Sequence, residues 1–81
     1  MMSGLEYARE EVVKAFPNRA DVVPASNGVE VVVYGGVKAS ELVYLETVFG
    51  AEGFQLERIY FHRNRDALVF RFSPMGVASN V

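Results

Sequence analysis

Apolar and polar positions alternate along this chain with two different periods, and the switches between them mark out six elements. Leu5, Ala8, Val12, Ala15 and Phe16 recur at helical spacing, which predicts a first helix with one apolar stripe. Ser3-Gly4-Leu5-Glu6 has the form of a capping box at its start. Glu10 and Lys14 stand at i,i+4 on the opposite side, and Pro17 disfavours helical geometry at Phe16. A short strand follows from Asp21 to Ala25. Its Pro24 has no amide donor, which assigns it to a sheet edge. Asn27-Gly28 is a strong hairpin turn signal. A turn there sets Val22 opposite Val33, Val23 opposite Val32 and Pro24 opposite Val31. The β-branched run Val29 to Tyr34 is apolar on both faces except at Glu30, as expected of a central strand.

Gly35-Gly36 breaks that strand. Leu42, Leu45 and Phe49 then trace a second helix from about Lys38 to Phe49, ended by Gly50 and Gly53. Its outer side, with Val43, Tyr44, Thr47 and Ala51, is only weakly polar. The segment from Phe54 to Phe72 reads as two strands joined at Asn64-Arg65. A loop of two residues, or of four from Arg63 to Asp66, gives the same pairing: Phe61 with Leu68, Ile59 with Phe70, Arg58 with Arg71. Phe54 and Leu56 are out of phase with Ile59 and Phe61, so a bulge is expected near Glu57-Arg58. Ser73 to Val81 has no periodicity and is expected to be a loose tail.

The order is αββαββ. A parallel crossover from the second strand to the third leaves room between them for the last strand. The expected fold is an α+β two-layer sandwich with sheet order 1-2-4-3, mainly antiparallel, and both helices on one face. In its element order alone, over roughly residues 3–72, it resembles a circular permutation of the ferredoxin-like fold. Beneath the helices the pattern places Val22, Val29, Val31, Val33, Ile59, Phe61, Leu68, Phe70 and Phe72. It leaves Val23, Val32, Tyr34, Tyr60 and Val69 on the open face, rimmed by Asp21, Glu30, Arg58, His62 and Arg71.

Composition sharpens this picture. The 81 residues suffice for one domain with a core near the minimum, yet 51% are hydrophobic. Some of that apolar surface needs an outlet, and a homodimer formed through the open face is the simplest. The net charge is −2, but it is polarised: residues 1–57 carry four basic and nine acidic side chains, and residues 58–81 carry four arginines and one aspartate. There is no cysteine, which excludes disulfides and thiolate chemistry and suits the cytoplasm. No apolar run is long enough to span a membrane, and no basic start precedes an apolar block.

The candidate chemistry is sparse. A single histidine, His62, with scattered carboxylates has no metal-ligand spacing. Glu10-Glu11 are sequential and point apart on a helix, so they form no acid/base pair. Neither a catalytic constellation nor a cofactor motif is present, and a non-enzymatic interaction module is expected. Gly35-Gly36 lacks the further residues of a phosphate-binding loop and reads as a plain turn. Arg58 and Arg71 face each other with like charge, which calls for an anion or for a carboxylate such as Glu30 or Glu57. Arg58, His62, Arg63, Arg65 and Arg71, with Tyr34 and Tyr60 as stacking platforms, make nucleic-acid binding the alternative function. The aromatic-glycine signature of RNA-recognition sheets is absent. At the hairpin tip the plainer arrangement is a solvated turn with Arg63 paired to Asp66.

Overall fold

The computed structural model describes residues 4–76. Helix α1 spans Gly4–Ala15, strand β1 Ala20–Ala25, β2 Gly28–Tyr34, helix α2 Ala39–Ala51, β3 Phe54–His62 and β4 Ala67–Pro74, with one 3-10 turn at Arg63–Arg65. The four strands form one open sheet in the order β1-β2-β4-β3, and all three pairings are antiparallel. The expected α+β sandwich and strand order are therefore what the chain adopts.

Both helices cover the same sheet face. Ala8 and Val12 from α1, Phe16 just beyond its end, and Leu45 and Phe49 from α2 close on Val22, Val29, Val31, Val33, Phe70 and Phe72. The rings of Phe49 and Phe72 stack at 4.6 Å with an interplanar angle of 22°, a geometry that adds about 0.5–1.5 kcal/mol beyond area burial. Ala15 is exposed rather than part of the α1 stripe. Lys14 pairs with Glu11 at 3.4 Å instead of Glu10, because Glu11 also faces α2, where Tyr44 donates to its Oε1 at 3.0 Å. The capping box expected at Ser3 lies outside the described residues.

The first hairpin is slipped by two residues from its expected register. Val22 faces Val31, Val23 faces Glu30 and Pro24 faces Val29, so Ser26-Asn27 makes the turn. Asn27 supplies the left-handed residue at φ 57°. Gly28 is needed in the strand rather than in the turn: a Cβ there would sit 2.2 Å from the backbone oxygen of Phe72. The slip is even, so every side chain keeps its face.

The second hairpin has the expected register, with Phe61 opposite Leu68, Ile59 opposite Phe70 and Arg58 opposite Arg71. Its loop is the four-residue version. Arg63–Arg65 form the 3-10 turn and Asp66, not Asn64, takes the left-handed conformation at φ 53°. The expected bulge falls between Leu56 and Arg58. Two boundaries move outward. α2 continues through Gly50 to Ala51, and Gly53 at φ 87° turns the chain into β3. β4 continues through Ser73 and Pro74, opposite Gln55 and Phe54, and the Met75 amide donates to the Gly53 carbonyl at 2.9 Å. Ser73 and Pro74, expected in a loose tail, are thus strand, and residues 77–81 of that expected tail lie outside the described part. No described helix is long and apolar enough to cross a membrane.

Candidate interaction surface

Arg19 sets the position of α2. Its guanidinium lies 5.0 Å from the centre of the Phe16 ring. It donates to the carbonyls of Tyr34 and Gly36, each at 2.9 Å, and reaches Glu41 at 3.4 Å. Glu41 in turn accepts from the Lys38 amide at 2.8 Å, closing the first turn of α2. The Gly35-Gly36 segment is thus a turn gripped from within by an arginine. At its other end, α2 passes through Glu52-Gly53 directly into the start of β3. The helix therefore runs from the end of β2 to the beginning of β3. It covers Phe54 and Leu56, which are half-buried against the core, and leaves the far end of β3 bare.

That far end carries the largest departure from the expected packing. The alternation of the sequence places Ile59 and Phe61 beneath the helices. They lie on the helix side, but 44% and 56% exposed. Tyr60 between them, on the other face, is 36% exposed. Among the described residues β3 is also an outer strand, paired with β4 alone. Three consecutive large apolar side chains thus line an edge with unpaired backbone groups. The position of the bare corner had one signal in the sequence. A nine-residue strand spans about 30 Å, and a thirteen-residue helix about 20 Å. The helix therefore cannot shadow the whole strand.

The open face is less open than its pattern suggests. Three rows cross it: Val23, Glu30, Arg71 and Arg58; then Asp21, Val32, Val69 and Tyr60; then Tyr34, Ala67 and His62. Of the five residues expected to form its apolar patch, Val32 and Val69 are buried in a small second core with Ala67, and Tyr34 packs partly buried against it. Val23 and Tyr60 are exposed. The slipped hairpin separates Val23 from Val32 by one row. What remains at the surface is a rim of long side chains over covered valines.

Electrostatics account for that rim. Arg71 donates from Nε to Glu57 at 3.2 Å and from Nη2 to the Ser26 carbonyl, and its Nη1 lies 3.7 Å from Glu30. Both carboxylates proposed to relieve the Arg58–Arg71 repulsion are in place beside Arg71. Tyr60 donates its hydroxyl to Glu30 at 3.2 Å. Partial burial, then the charge of Glu30 and the bond to it, raise the Tyr60 phenol above its ordinary pKa, against the opposing pull of Arg58 and Arg71. Arg58 lies over the Tyr60 ring at 5.4 Å.

The hairpin tip is exposed from Arg63 to Asp66. Arg63 does not pair with Asp66 through its side chain; what joins them is the Asp66 amide donating to the Arg63 carbonyl at 3.3 Å. Arg58, Arg63 and Arg65 engage in no ion pair among the described residues. His62 is half-buried at the base of the tip, and its Nδ1 is buried with no hydrogen-bond partner. Among the described residues, no three His, Asp or Glu side chains are grouped so as to hold a metal ion. No protein-family model, curated protein or solved structure matches the chain.

Proposed function

We propose that this protein is a non-enzymatic interaction module of the cytoplasm that associates with itself, and that it does so through the free edge of β3. The observation that carries this reading is the run Ile59, Tyr60 and Phe61, exposed in succession on a strand whose outer edge has no neighbour among the described residues. A long apolar edge is a template for pairing with another chain. Covering it also returns the side chains that α2 leaves bare to an apolar environment, at about 25 cal/mol per Å². The open face contributes Tyr60 and the charged rim, while Val32 and Val69 serve the monomer.

The test is solution mass as a function of concentration. Light scattering and sedimentation equilibrium should show a mass rising from one chain toward two as concentration increases through the micromolar range. A mass that stays at one chain up to high micromolar concentration overturns the proposal.

A second reading rests on a separate observation, the three arginines at and near the tip that engage no carboxylate among the described residues. In it Arg58, Arg63 and Arg65 contact phosphates, and Tyr60 offers a ring to a base. Arg71 is already committed to Glu30 and Glu57. Binding would weaken steeply with salt, and each arginine removed would lower the log–log salt slope by about 1. No retardation of single- or double-stranded probes at low salt removes this reading.

A further inference from the structure

The regular part of the β3 edge is short and bounded on both sides. The bulge at Glu57 interrupts it at one end and the 3-10 turn at Arg63 at the other. Five residues remain, Arg58 to His62, and the middle one is Tyr60. If self-association occurs through this edge, as proposed above, symmetry restricts how it can happen. A two-fold axis perpendicular to the sheet makes the two edge strands antiparallel and keeps all four helices on one side. It also requires one residue to face its own copy.

We infer that this residue is Tyr60: two copies pair antiparallel through Arg58–His62 about a two-fold axis at Tyr60, with Ile59 facing Phe61 of the second copy and Glu57 coming level with its Arg63.

Only this centre uses all five regular residues. It joins apolar to apolar on the helix side, twice over, and Tyr60 to Tyr60 on the other side. Cross-strand aromatic and β-branched pairs of this kind are favourable. Arg58 faces His62, whose imidazole can accept a hydrogen bond. Just outside the ladder, the carboxylate of Glu57, held by Arg71 at 3.2 Å yet half exposed, meets Arg63, a cation with no ion pair of its own among the described residues. Neighbouring centres are worse in each respect. A centre at Arg58 sets Arg58 against itself. A centre at Ile59 sets Phe61 against Glu57, and one at Phe61 sets Ile59 against Arg63. The product is an eight-stranded antiparallel sheet with β1 at both outer edges and an arginine-bearing tip beside each Glu57.

The chain has no cysteine, so single introduced thiols report on register without interference. Tyr60→Cys should form a disulfide-linked dimer on mild oxidation, since facing residues on antiparallel strands are within disulfide reach. Arg58→Cys and His62→Cys should each stay unlinked alone and link to one another when mixed. As a readout that leaves Tyr60 in place, Arg63→Glu should weaken the dimer roughly tenfold, and Arg63→Lys, which keeps the charge, should weaken it far less. Preferential linkage of Arg58→Cys or His62→Cys alone overturns the register while leaving self-association intact. So does a dimer by mass in which Tyr60→Cys stays unlinked and Arg63→Glu has no effect. A monomeric mass removes self-association and the register together.

Discussion

The two edges of the sheet are treated in opposite ways. β1 is short, six residues, and protected. Pro24 removes one donor from it, and Arg9 reaches from α1 to cap the Val22 carbonyl at 2.8 Å. β3 is longer, nine residues, and its second half presents Ile59, Tyr60 and Phe61 with no covering element among the described residues. One chain thus carries both a blunted edge and an unblunted one. A strand edge that is merely tolerated is usually interrupted by charge or by proline. The Arg58–His62 segment of β3 has neither within its apolar run, and the interruptions lie at its limits.

The contrast is broken most directly by a charge on each edge. Phe61→Asp should raise the dimer dissociation constant roughly hundredfold or more, because a carboxylate would be placed in an apolar contact. Val23→Asp, at a similarly exposed position on β1, should leave the mass unchanged. Sedimentation of both variants decides it, and equal dissociation by the two would erase the difference between the edges. The inner pairing of β2 with β4 should be less forgiving than either edge. Gly28→Ala forces a methyl group against the Phe72 carbonyl and should cost about 1–3 kcal/mol in urea unfolding. Protection of β1 can be measured through Arg9→Ala, which removes the cap on Val22. It should cost about 1 kcal/mol and leave dimer affinity unaltered.

The smallest effect concerns Tyr60 itself. Its raised pKa means that the folded state favours the neutral phenol. The associated stability is fully present below the ordinary phenol pKa and is lost as pH rises through the raised value. Ring NMR signals should follow that titration in the monomer, and Glu30→Gln should bring it back toward the ordinary range. An unchanged midpoint would mean that Glu30 does not govern Tyr60.

Turn chemistry and side-chain parity made much of the fold legible. Pro17, Gly53 and the out-of-phase pair Leu56 and Ile59 marked a helix end, a helix exit and a bulge from local sterics alone. The slip of the first hairpin was not legible. Asn27-Gly28 satisfies a turn in either of two registers, and in the one adopted Gly28 lies in the strand against the Phe72 carbonyl of β4, a neighbour remote in sequence. The role of Arg19 was equally hidden, since its partners are backbone carbonyls and Glu41, up to 22 residues away in sequence.

The candidate surface divides in the same way. That Ile59 and Phe61 share a face and that Arg58 opposes Arg71 follows from period-two alternation, which depends only on neighbouring residues. Alternation says which side of a sheet a residue takes and nothing about what lies above it. Burial of Val32 and Val69 on the supposedly open face, and exposure of Ile59 and Phe61 on the supposedly covered one, came from long side chains folding over the first pair and from the course of α2 across the sheet. Coverage is a property of several elements at once, so only the assembled structure could decide it.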